Sequence, residues 1–148
     1  MGRMIAGTIA VFALCIALGA QAQTAKWDQA AVTAVALEYE NAVSGLRDAV
    51  RQSTAWAMSP NKSKLYQISQ DLRQIEWLAQ SLHSDLAKGE GLEATSAVYF
   101  QILENREYAK ADAMFVDVSA IVKPKLDASQ AAMKKLAAFY PAPPKSSL

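Results

Sequence analysis

The chain predicts an all-α fold, an antiparallel up-down-up-down four-helix bundle preceded by a cleavable signal peptide, and three observations point there. Apolar residues recur at a helical period through most of residues 27–140. Glycine and proline are scarce beyond residue 22 and, Gly45 apart, fall between or after the periodic stretches, where they punctuate. No stretch alternates apolar and polar residues as a half-buried strand does. Short connections between successive helices favour antiparallel neighbours, which yields the up-down order.

The first segment, residues 1–22, reads MGRMIAGTIAVFALCIALGAQA. Arg3 precedes an apolar run from Met4 to Leu18, and Ala20 and Ala22 are small where a signal peptidase needs small side chains, so cleavage is expected after Ala22. The run is shorter than the roughly 20 apolar residues of a spanning helix. Leu14 stands before Cys15 where a lipoprotein leader carries a small residue. The expected location is therefore periplasmic or secreted. Cys15, the one cysteine, leaves with the leader, which excludes disulfides, thiolate metal sites and covalent haem attachment. The chain carries 15 Lys+Arg and 14 Asp+Glu, and losing Arg3 makes them equal. No excess charge remains to attract nucleic acid or anionic lipid. Residues 23–140 suit one domain, and no later stretch is apolar enough for stable membrane insertion.

The first helix is expected over Trp27 to Met58, with Val32, Val35, Tyr39, Ala42, Leu46, Ala49 and Trp56 along one stripe flanked by Ala36, Val43 and Val50. Ser59 and Pro60 open the second as N-cap and first helical residue. Its seam is Leu65, Ile68, Leu72, Ile75, Ala79, Leu82 and Leu86, and Gly89 and Gly91 end it. The third runs from Glu90 with Ala97, Phe100, Leu103, Ala111, Met114 and Val118 as its core face. Its break from the fourth is expected between Asp117 and Pro124, with a proline-kinked continuous helix as the alternative. The fourth buries Leu126, Met133, Leu136 and Tyr140, and residues 141–148 form an extended or mobile proline-rich tail.

His83 is the single histidine. Its neighbours Ser81, Ser84 and Asp85 point in different directions on a helix and cannot form a relay with it. Glu76, seven residues earlier, lies about 10 Å away along the axis, too far to share an ion, and the Glu-x-x-His motif of bundle carboxylate sites is absent. In architecture and compartment the chain resembles the haem-carrying bundles, the c-prime and small b-type cytochromes. The former attach haem through Cys-x-x-Cys-His, which this chain lacks; the latter hold iron between a methionine and a histidine. Reflection through the turns places His83 level with Val35 to Tyr39 and Thr95 to Ser96, where no methionine stands. Met58 and Met114 lie toward the other end, and Met133 a couple of turns away. His83 is thus a cofactor ligand only if the chain carries haem on one histidine; otherwise it pairs with Glu38 or Asp85 or meets solvent. No cofactor or metal is predicted.

Two further constellations stand out. Glu104 and Glu107 occupy positions that Phe100, Ala111 and Met114 mark as core, level with Asp71 to Gln74 and Arg47. They predict a buried polar layer with Arg47 or Arg73, whose simplest role is fixing helix register. Tyr66, Arg73 and Trp77 share a stripe turned away from the Leu/Ile seam and are interface candidates for a homo-oligomer or a protein partner. Lys123, Lys125, Lys134 and Lys135 form a solvated face. With no acid-base pair, nucleophile or phosphate loop, the expected function is that of an exported non-enzymatic interaction or binding protein. The alternative is a small-molecule or b-type haem carrier using the bundle interior.

Overall fold

A computed structural model describes residues 25–53, 62–114 and 120–142. Among them the chain forms four α-helices and no strand: α1 (Gln29–Gln52), α2 (Lys62–Ala87), α3 (Leu92–Ala113) and α4 (Val122–Ala137). The expected leader, Trp56, Met58, the Ser59-Pro60 cap, Val118 and the tail beyond Ala142 lie outside the described residues. No described helix is long and apolar enough to cross a membrane.

The helix ends follow from local chemistry. Asp28 caps α1, accepting a hydrogen bond from the Ala31 amide at 3.0 Å, which satisfies one of the free donors of the first turn. Gly89 ends the α2 reversal at φ +93, a conformation open to glycine without a Cβ penalty. Its amide bonds to the Leu86 carbonyl and that of Glu90 to the Asp85 carbonyl, both at 3.0 Å, completing a Schellman motif. Pro124 sits in the first turn of α4, where a missing N–H costs nothing.

The α2 seam is buried in full, and Leu78 and Glu76 join it. On α1 the stripe is turned slightly from the expected one: Ala36, Val43 and Val50 are buried while Val35 and Ala42 are only partly so. The larger correction concerns α3, which ends at Ala113. Its inward residues are Thr95, Tyr99 and Ile102, whereas Ala97 and Ala111 are exposed and Met114 is 80 % exposed. Apolar residues surround α3 almost evenly, so hydropathy alone picks no face.

One apolar core joins the helices. α3 packs on α2, α2 on α1 and α1 on α4, while α3 and α4 approach each other little. What bridges that last seam is Tyr140. Its ring stacks on Tyr99 at 4.1 Å, its hydroxyl lies 2.8 Å from Thr95 Oγ1, and Trp27 meets it edge-on at 5.7 Å. Nearby the Ala25 amide bonds to the Ala138 carbonyl, and Gln29 Nε2 donates to the carbonyls of Leu86 and Glu90. Away from this aromatic cluster the four helices leave a cavity.

Candidate functional site: a cavity among the helices

Cross-helix ion pairs join α1 to α2. Arg47 on α1 pairs with Glu76 on α2, and two turns away Glu40 pairs with His83. Equal steps along the two helices mark a single antiparallel register between them. Glu76 is 9 % exposed, so this is the buried polar contact of the α1/α2 seam. The expected layer is therefore built differently. Glu104 is exposed and accepts from the Tyr108 hydroxyl at 3.0 Å; Glu107 is exposed and lies 3.7 Å from Lys110; Arg73 is exposed. Of the four residues proposed for the layer only Arg47 takes part, because α3 turns Arg106 inward in place of Glu104 and Glu107.

His83 also has a different partner from those expected. Its Nδ1 lies 2.8 Å from Glu40 Oε2, while Glu38 accepts from Lys135 at 2.6 Å and Asp85 from Lys88 at 3.2 Å. An ionised carboxylate only accepts, so Nδ1 carries the proton in this bond. His83 is not among the residues that line the cavity. Among the described residues no group of three or more His, Cys, Asp or Glu side chains could hold a metal ion.

The cavity measures about 210 Å³ and all four helices line it. Its wall is mainly apolar, with Leu46 and Val50 from α1, Ile68 and Leu72 from α2, and Leu126 from α4. Tyr39 and Arg106 bring polar atoms to it, Ser129 adds a hydroxyl, and Glu107 and Lys110 contribute to the wall from the exposed side of α3. Arg106 is partly buried. Its Nη1 donates to the Tyr39 hydroxyl at a long 3.4 Å, and its guanidinium carbon lies 5.9 Å from the centre of that ring. Among the described residues no carboxylate pairs with Arg106. Sequence reasoning missed this residue. A trace was present: Thr95, Tyr99, Ile102, Arg106, Ala109 and Ala113 follow the same 4-3 spacing as the α2 seam, but two polar members hid it.

Burial raises the Tyr39 hydroxyl above its ordinary pKa of 10.0, and the nearby Arg106 opposes part of that rise. Burial likewise raises Tyr99 and Tyr140, the latter opposed by its hydrogen bond to Thr95. In the unfolded chain these phenols release their protons near pH 10, before the folded chain does. Stability is thus fully present below about pH 10 and falls as pH rises above it. Thermal melts followed by circular dichroism are expected to show a constant melting temperature between about pH 8 and 9 and a decline above about pH 10, shallower in Tyr39→Phe.

Tyr66 and Trp77 are 59 % and 61 % exposed on α2, with Arg73 exposed on the same side. Arg73 also lines a shallow depression with Arg47, Arg51, Ser69 and Gln70. Comparison with protein-family models, with curated proteins and with solved structures found no match to this chain.

Proposed function

We propose that the chain is an exported, non-enzymatic binding protein that holds a small, largely apolar molecule in the cavity among its helices. In this reading residues 23–140 form an up-down-up-down bundle, freed of its leader in the periplasm or outside the cell. The topology draws support from contacts at the two ends. Gln29 joins the start of α1 to the end of α2, and Trp27 meets Tyr140 beyond α4, while Lys64 and Asp112 pair α2 with α3 at the opposite end.

The observation that carries the binding reading is the cavity itself. The cavity is partly open to solvent, so its apolar wall stays in contact with water unless a ligand of matching shape covers it. A space of about 210 Å³ exceeds the roughly 150 Å³ that suffices for benzene in an engineered core. Indole, which is neutral and apolar, is the direct probe. Titration is expected to shift the methyl resonances of Leu46, Leu72 and Leu126 and to raise the melting temperature. Ala109→Phe, which fills the cavity from α3, is expected to abolish both responses with helicity unchanged. Indole shifts absent from those methyls would sink the reading. Haem on His83 has less support, since His83 lies outside the cavity wall with its Nδ1 on Glu40.

A second reading rests on Tyr66, Arg73 and Trp77, whose residue types and exposure suit a protein interface. Self-association is the simplest form of it. Sedimentation equilibrium is then expected to give twice the chain mass, reverting to one chain in Trp77→Ala; a wild-type monomer at high concentration would exclude self-association.

A further inference from the structure

Among the described residues, the cavity wall holds a guanidinium, that of Arg106, which no carboxylate pairs with. Arg47, also partly buried, has the Glu76 carboxylate, whereas among the described residues Arg106 meets the Tyr39 phenol, through a long hydrogen bond and the face of its ring. Glu107 and Lys110, which also line the cavity, are exposed and lie 3.7 Å apart, so that carboxylate is directed to Lys110 and not to Arg106. A guanidinium stays charged at any pH a protein meets and presents five N–H donors in a planar fork. Partial burial strips water from that fork without supplying an anion, which is costly unless a countercharge arrives from elsewhere. The fork matches the two oxygens of a carboxylate.

Tyr39 strengthens the match. Its oxygen accepts from Arg106, which leaves its own hydroxyl proton free to donate, and burial keeps that proton in place. Two kinds of donor therefore converge at one part of an otherwise apolar wall. Resting on the cavity reading above, we infer that the ligand is a small apolar monocarboxylate, its acid group on Arg106 and Tyr39 and its body against Leu46, Ile68 and Leu72. The volume admits a single ring with a short acid arm, or a short aliphatic chain.

Phenylacetate and phenylacetamide have nearly the same shape and differ in charge, so they isolate the contribution of the acid group. Calorimetric titration of the full chain at low salt is expected to give phenylacetate an affinity about tenfold or more above that of the amide, as a charge-assisted hydrogen bond warrants. Arg106→Met is expected to erase this preference while indole still binds; Tyr39→Phe is expected to reduce it, and provides a second reading should the first variant fold poorly. Equal affinity for acid and amide, or a preference that survives in Arg106→Met, overturns the inference and leaves the cavity reading standing as long as indole binds. If neither phenylacetate, phenylacetamide nor indole binds, the cavity is filled by the chain's own side chains and both readings fall together.

Discussion

Tyr140→Ala is expected to destabilise the fold by about 3–5 kcal/mol, the range for removing a buried aromatic side chain. Tyr140 is 2 % exposed although it follows the last helical residue, and it joins Tyr99 of α3 to Trp27 before α1. Its loss opens the α3/α4 seam, where helix-to-helix contact is sparse, so little nearby structure can collapse into the space. The melting temperature is expected to fall by at least about 10 °C. Tyr140→Phe separates packing from hydrogen bonding. It keeps the stacked ring and loses only the bond to Thr95, whose hydroxyl still donates to the Gly91 carbonyl at 2.9 Å. That change is expected to cost about 1 kcal/mol. Urea unfolding of the three proteins checks the pair, and equal small losses for Ala and Phe would show that the ring contributes nothing.

Arg47→Leu is expected to cost about 2–3 kcal/mol, because the Glu76 side chain, 12 % exposed, is left as a buried carboxylate without its cation. The figure lies below the full range for buried pairs because the Arg47 side chain is 26 % exposed and partly screened by water. The double variant Arg47→Leu/Glu76→Leu is expected to recover nearly all of that loss, since two apolar side chains replace two desolvated charges. A double-mutant cycle in urea measures the coupling directly. A double variant as unstable as the single one would mean that the pair holds the helices by more than mutual neutralisation. With both charges gone, the apolar α1/α2 seam, the Glu40–His83 contact two turns away and the Gln29 bonds to the end of α2 still hold the register.

How legible each helix was depended on how narrow its apolar stripe is. α2 carries one continuous seam, and all seven of its expected residues are buried, because a stripe that narrow can face inward in only one way. α3 presents apolar residues on nearly every side, and its inward face includes Thr95 and Arg106. Phe100 and Leu103 do pack against the core, partly buried, but extending their stripe through Ala97, Ala111 and Met114, all exposed, turned that helix and put Glu104 and Glu107 where Arg106 belongs. The histidine shows the same limit at smaller scale. Its helix and approximate level were readable, yet its partner is Glu40 and not Glu38, two residues away and on the other side of α1.

What the sequence by itself determined was the all-helical class, the α2 seam and the glycine reversal after it, since each depends on spacing within a few turns of one segment. Only the tertiary structure decided which side of α3 turns inward, which carboxylate meets which base, and where four helices leave an unfilled space beside an arginine. Those outcomes depend on rotations and shifts of one helix against another by a fraction of a turn. Such displacements are chosen by the packing of all four helices together, and no local pattern encodes them.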